Sequence, residues 1–482
     1  MADLRTWAED EFGRAELGDD RRIRRLVTLA TALATQRGGT VAAVGGTRAG
    51  RQGAYRFLCN RHVRWQDIAE ASSRATARRC YGEEVVLVPV DGSSLAFADH
   101  DGDNGTGPIG TRTQGARGLK MMTAYVLRFD GVPLGVGAQV VWARGEAKHP
   151  VAHERRALGD KESRDWTELQ RGLEATFALE GVRARPWYQM DREADQLSVL
   201  LRGLEPGGLV TVRCDHNRRL AARLVRDPTP PERKLLDELE HAPAWGQMMV
   251  RVEAGPKRRA RAARLELSVV HTSVRLRQAW SKRHLADVVW TAVRVREAGT
   301  CPAGETPLEW ILWTSYPVHS FADACQVVRG YTLRWRIESW HFALKSGGGH
   351  SEDAQLESFG ALAKWATVQS AVAARAEHLV YRSRQEPELP AEQEYANDEV
   401  DTLRLLDRQH TKTSWFADPQ HPRLGEATRA VAQLGGYMGS RNARPPGVTV
   451  VRRRLERLAL QTEALALARA VLEKERCERS GQ

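Results

Sequence analysis

Hydrophobic and polar positions change rhythm several times along this chain, and each change marks an element. In DDRRIRRLVTLATALATQ, Leu26, Leu29 and Leu33 recur at helical spacing behind a capping aspartate, with arginines on another face. A glycine-rich break, GGTVAAVGGTRAGRQG, and a short helical pattern around AYRFLCN follow. The rhythm then turns to strands. EEVVLVPVD is an apolar run closing on Asp91, and MTAYVLRF and PLGVGAQVVW are two more strands joined at the Asp130-Gly131 turn. A helix, ESRDWTELQRGLEATFALE, leads to RPWYQMD, a strand closing on Asp191. Alternation continues through LVTVR, MMVRVE, RLELSVV, VVWTAVRVR and LEWILWTS. Helical spacing returns with YTLRWRIESWHFALK, stops at Gly347-Gly348-Gly349, and resumes to about residue 383. An acidic, proline-containing stretch, RQEPELPAEQEYANDE, reads as a linker or exposed loop. In the last helical part, Val451, Leu455, Leu458, Leu465 and Leu472 form a packing seam.

This order predicts three parts: a helical segment over 1–72, an α/β domain over 73–383, and a helical segment over 384–482. Three meandering strands, a helix and a further strand, with acids closing the first and fourth strands, is the order of a ribonuclease-H-like core. The strands at about 205–320 read as an antiparallel sheet inserted into it.

With 482 residues, 42% of them hydrophobic, there is material for several cores. No run of about 18 apolar residues is available to span a membrane, and the charged N-terminus lacks an apolar signal core. A cytoplasmic protein at the bacterial nucleoid, with no membrane partner, is expected. The net charge of +11 favours a polyanionic partner, most simply nucleic acid. The six cysteines form no CxxC pair, which speaks against a zinc site or a disulfide framework.

The densest chemistry lies in YTLRWRIESWHFALK. Tyr331, Arg334, Glu338 and Lys345 fall at offsets that, at roughly 100° per residue, share an arc of about 60°. A phenol, a guanidinium, a carboxylate and an ammonium on one stripe suit a surface that grips phosphate beside a metal-binding acid. Arg334 suits bidentate phosphate contact and Lys345 a point charge, while Trp335, near the same face, suits stacking on a base. Trp340 reads as core. Three carboxylates, Asp91, Asp191 and Glu338, suit two divalent ions, and magnesium prefers such oxygen ligands. Two ions about 3.5–4 Å apart clamp the attacking and leaving oxygens of a phosphoryl displacement. Glu193 and Asp195, beside Asp191, read as structural. Arg21, Arg22, Arg24, Arg25, Arg51 and Arg56, and Arg258 and Arg259 in the loop PKRRARAAR, suit DNA phosphates. Singly, each has an ordinary reading, a turn or cap aspartate or a solvated helical face. Their joint placement carries the argument.

These residues resemble the DDE transposases of bacterial cut-and-paste elements, in the branch marked by a Y-(2)-R-(3)-E-(6)-K signature. The likeness extends through LGDDRRIRRLV, GAYRF, DGSSLAF, DREAD, GETPLEWILWTS and LGGYMGSR, in family order, over nearly the whole chain. It implies that Asp91, Asp191 and Glu338 bind two magnesium ions, with manganese as a substitute. Trp310 would stack on a flipped base, and Tyr331, Arg334 and Lys345 would contact the adjacent phosphate. Arg213 and Arg218 would contact DNA. Double-stranded DNA, both element ends and target, would be the substrate of a homodimer. Water nicks the end, the freed 3′-hydroxyl forms a hairpin with the opposite strand, water opens it, and the 3′-hydroxyl joins target DNA. Two departures stand out: Asp215 replaces a lysine, and Ser339 follows Glu338 where a second acid is usual. The C-terminal third matches weakly outside LGGYMGSR. A nuclease that cuts without joining, and a non-catalytic DNA-binding regulator, are the alternatives.

Overall fold

The computed structural model describes residues 4–35, 40–99, 104–110, 115–145, 164–220, 234–252, 255, 258–277, 281, 283–346, 350–409, 414–437 and 445–480. The triple-glycine stop at 347–349 and the end of LGGYMGSR, 438–441, lie outside them.

Five helices open the chain: α1 (Leu4–Phe12), α2 (Asp20–Thr35), α3 (Val41–Val44), α4 (Arg48–Leu58) and α5 (Trp65–Arg79). The glycine-rich stretch thus contains a short helix and the start of another. Thr40 and Thr47 accept the backbone N–H of Ala43 and Gly50 and so fix where α3 and α4 begin. Leu26, Leu29 and Leu33 are buried with Trp7, Phe12, Phe57 and Leu58. Helix α5 runs through the expected boundary at residue 72, so the helical and α/β parts share an element.

The α/β part comprises β1 (Val85–Ala96), β2 (Gly107–Pro108), β3 (Arg117–Leu127), β4 (Pro133–Trp142), α6 (Arg164–Glu180), β5 (Arg185–Met190), α7 (Leu197–Arg202) and β6 (Leu209–Arg213). It continues with α8 (Leu235–His241), β7 (Ala244–Val252), β8 (Arg261–Arg277), β9 (His284–Glu297), β10 (Glu309–Thr314), α9 (Phe321–Thr332), α10 (Arg336–Lys345) and α11 (Phe359–Gln385). All the strands join one ten-stranded sheet. Its first half runs β4-β3-β1-β5-β6; β3 lies antiparallel between β4 and β1, and β5 is parallel to both β1 and β6. Trp166, Leu169, Leu173 and Phe177 of α6 cover one face, over Val86, Val88 and Val90. Helices α10 and α11 cover the other, over Leu87 and Trp187. Helix α11 is buried nearly all round: its alanines let neighbours pack closely, and buried charges on it are met by partners, Lys364 by the Asn60 carbonyl at 2.8 Å and Arg375 by Glu394.

Two expectations change. Strand β1 does not stop at Asp91: the polar DGSSLA continues it, with Asp91 opposite Thr123 and Ala96 opposite Gly118. Pairing with β3, not apolar alternation, holds that end. Nor is the insertion a separate sheet. Strand β6 belongs to the parallel half, and β10, β9, β8 and β7 extend the same sheet from its edge.

The chain closes with α12 (Asn397–Gln409), α13 (Leu424–Gln433) and α14 (Val448–Ser480). Val451, Leu455 and Leu458 pack under α12 and α13, but the seam ends there. Leu465 is half-buried and Leu472 is 59% exposed, because no described element lies over the far half of α14. No helix among the described residues is long and apolar enough to cross a membrane.

Candidate active site

Strand register builds the site. Val90 pairs with Met190 across the parallel β1–β5 ladder, so the next residues, Asp91 and Asp191, emerge side by side. Asp91 accepts the N–H of Gly92 at 2.8 Å, and Asp191 accepts that of Glu193 at 2.8 Å, capping a 3₁₀ turn over Arg192–Ala194. Both acids are therefore held at defined orientations by their own backbone.

Glu338 arrives from above the sheet. Ile337, Trp340, Ala343 and Leu344 form the buried face of α10, and Trp340 Nε1 donates to the Ser370 carbonyl of α11 at 3.1 Å. Trp340 also stacks on Tyr125 of β3 at 5.5 Å. That docking turns Glu338 toward the acids of β1 and β5. Arg334 joins them: its Nη2 donates to Glu338 Oε1 at 2.8 Å, and its Nη1 lies 3.5 Å from Asp91 Oδ2. Burial pushes the Asp91 carboxyl up to about 6, opposed by Arg334 and reinforced by Asp191 and Glu338. Burial works against the Arg334 cation, but Tyr331, Glu338 and Asp91 together hold its pKa above the ordinary value.

The four-residue stripe is not one continuous helix. Tyr331 lies at the end of α9, Arg334 in a 3₁₀ turn over Leu333–Trp335, and Glu338 and Lys345 on α10. The tighter turn folds Tyr331 in among the arginines. Tyr331 is buried, which raises its pKa against the pull of the nearby Arg334 and Arg213 cations, and it meets Trp310 of β10 edge-on at 5.6 Å. Tyr331, Arg334, Glu338, Asp91, Asp191, Trp310 and Arg213 thus converge. Lys345 lies farther along α10, where burial lowers its pKa against the pull of Glu352. Glu352 in turn accepts the N–H of Ala96 at 2.7 Å, fixing the end of β1. Nothing in the sequence spacing pointed to Glu352. His341 was also missed, although it lies one turn after Glu338. Burial, with Lys345 and Arg334 nearby, pushes its pKa down to about 3, and its Nε2 is buried with no hydrogen bond among the described residues.

The other basic candidates divide by what they touch. Arg218 donates to Asp195 Oδ2 at 2.7 Å and to the Asp195 carbonyl at 2.9 Å. Asp195 also accepts the N–H of Asp215 and His216, so it anchors the loop that carries Asp215. In the basic loop, Arg258 and Arg259 are exposed, whereas Arg261 pairs with Glu297 at 2.9 Å and Glu305 at 2.6 Å. Among the N-terminal arginines, Arg21, Arg24, Arg51 and Arg56 are exposed. Arg22 donates to the Leu17 carbonyl at 2.8 Å, and the Arg25 guanidinium lies against Gly53, where a Cβ would come within 2.6 Å of its Cζ. Trp335 is 57% exposed, with the Arg334 guanidinium 5.2 Å from its ring.

Residues 4–63 match a family model described as transposase DNA-binding. That match supports a DNA-binding transposase. It takes in α1 to α4 and the candidate arginines Arg21, Arg22, Arg24, Arg25, Arg51 and Arg56, and it does not reach Asp91, Asp191 or Glu338.

As they stand, the described side chains form no cluster of three metal ligands. The Arg334 guanidinium lies between Asp91 and Glu338, where a cation is called for. The donor set still fits a hard divalent ion: three carboxylates, two of them where the parallel β1–β5 pairing ends, raise one another's need for positive charge.

Proposed function

We propose that this chain is a DDE transposase that binds the ends of a mobile element, cuts them, and joins their 3′-hydroxyls to target DNA. The observation that carries this reading is the convergence of Asp91, Asp191 and Glu338 around Arg334 and Tyr331. The transposase DNA-binding match at the N-terminus lies in the same chain. The strand order β4-β3-β1-β5-β6 supports a ribonuclease-H-like core, since it joins three antiparallel strands to two parallel ones.

Asp91, Asp191 and Glu338 would hold two magnesium ions, which supply the clamp on attacking and leaving oxygens that phosphoryl transfer uses. The protein's own groups do the rest. Arg334 neutralises Asp91 and Glu338 in the free chain. In the complex it turns its planar fork to a phosphate beside the scissile bond. Tyr331, beside Arg213 and Arg334, presents its hydroxyl to the same strand, and Lys345 adds a point charge farther along α10. Trp310, partly buried and braced by Tyr331, offers a ring face to a base turned out of the duplex. Stacking there offsets the few kcal/mol of unpairing. Exposed Arg21, Arg24, Arg51 and Arg56 neutralise the phosphates of the element end.

The far half of α14 supports association of two copies. Leu460, Leu467, Val471 and Leu472 are 57–63% exposed along one helix, which favours burial against a second chain.

The reading is tested with DNA carrying the sequences that bracket the gene. Magnesium-dependent nicks, hairpins and strand-transfer products are expected in that order. Nicks without joined products would reduce the protein to a nuclease, and binding without nicks to a regulator.

A further inference from the structure

Glu338 stands between two exposed aromatic rings. Trp335 lies three residues before it and Phe342 four residues after it, and each ring is 57% exposed. Trp335 caps the start of α10 from the 3₁₀ turn and Phe342 lies one turn beyond Glu338 on α10, so the two flank Glu338 along the chain. The opposite face, Ile337, Trp340, Ala343 and Leu344, is what docks α10 on the sheet, so Phe342 contributes nothing to the core. A phenyl ring left in water on the face that carries Glu338, with Lys345 one turn farther on to attract a phosphate, suits an occupant that is flat and carries phosphate. An interface with a second protein fits poorly. Its centre would be an apolar patch depleted of charge, whereas here a carboxylate separates the rings.

We infer that Phe342 is a stacking platform for an unpaired nucleobase next to the scissile phosphate, on the side of Glu338 opposite Trp335. The inference rests on the reading of Glu338 as part of a phosphoryl-transfer site. Seven residues separate the two positions, a backbone rise of roughly 10 Å at about 1.5 Å per residue, so one strand can pass the carboxylate with a base resting on each ring. Every base has a π-face, so such a platform holds a strand without reading its sequence. The sequence offered this residue only as one apolar position among several; its exposure on α10 sets it apart.

The test uses the full chain and duplex DNA of the element end, with a single abasic site or 2-aminopurine placed at each nucleotide within three of the cut. Phe342→Ala and Phe342→Leu should slow cleavage about ten-fold, the scale of one lost base–aromatic stack, while Phe342→Tyr stays within about two-fold of the parent. At one position the abasic site should slow the parent by the same factor and slow Phe342→Ala no further. 2-Aminopurine there should be quenched by the parent and bright with Phe342→Ala, whether or not metal is present. Parental cleavage rates in Phe342→Ala, additive losses at every abasic position, or unchanged 2-aminopurine quenching would each overturn the inference. So would a changed oligomeric state, which would make the ring a protein contact. A parent that quenches the probe but never cuts would count against the phosphoryl-transfer reading and leave the platform standing.

Discussion

The two halves of the sheet use the same charged residues in opposite ways. In the extension β10-β9-β8-β7, arginines and acids pair off. Arg261 takes Glu297 and Glu305, Arg294 takes Glu309 at 2.8 Å, and Arg296 takes Glu266 at 3.0 Å. In the half around β1 and β5, Asp91 and Glu338 share one guanidinium in ion-pair range among the described residues, and Asp191 adds a further charge beside them. The first arrangement sets three arginines against four acids and ties β9 to both its neighbours. The second leaves a surplus of negative charge where the β1–β5 parallel pairing ends, under a helix, a setting that suits a divalent cation. Surplus charge, more than the presence of acids, separates a site from a scaffold here.

The largest effect that sharpens this contrast should come from the surplus itself. Asp91→Ala and Asp191→Ala should lower nicking by more than about a thousandfold, with DNA binding within about two-fold of the parent, because the acids serve chemistry and not docking. Plasmid nicking and mobility-shift assays on the same preparations check both halves of that statement. Trp310→Ala should follow, with hairpin formation slowed about ten-fold and the first nick nearly untouched, since only the hairpin needs a sharply distorted end. A gel time course separates the steps.

The paired half should answer in stability. Arg261→Ala leaves two largely buried carboxylates without their partner and should cost about 3 kcal/mol, lowering the melting temperature by several degrees. Arg258→Ala with Arg259→Ala should leave melting unchanged and flatten the log–log salt dependence of DNA binding by about 0.9 per lost contact. Exchange of these two outcomes would break the division between paired and free arginines.

A further effect concerns Glu377 on α11. Burial pushes its carboxyl up from 4.5 to about 8, against Arg336 and Arg384. A carboxyl raised in the folded state stabilises it fully below about 4.5, and that contribution is lost as pH climbs through about 8. Melting temperature should therefore fall for the parent between pH 5 and 9 more steeply than for Glu377→Gln, and differential scanning fluorimetry across that range reads the difference.

Local signals in the sequence were enough to find most elements, including the strand runs of the extension and the buried face of α2. They missed what depends on pairing between distant segments. The polar end of β1 is a strand because β3 lies beside it. The side-by-side placement of Asp91 and Asp191 comes from the Val90–Met190 register, about a hundred residues apart in the chain. Charge alone could not tell Arg218 and Arg261, spent on acids, from Arg258 and Arg259, which are exposed. The break at Leu333–Trp335 escaped a helical count that treated YTLRWRIESWHFALK as one rod, and the seam of α14 was followed past the point where anything covers it.

The central claim is that Glu338 completes an acid cluster that cuts DNA with a divalent metal. Supercoiled plasmid carrying the DNA that brackets the gene, incubated with magnesium and with either the parent or Glu338→Ala, tests it most directly. The account predicts nicked plasmid with the parent, none when magnesium is chelated, and none with Glu338→Ala despite undiminished DNA binding. Nicking by Glu338→Ala at the parental rate would contradict it.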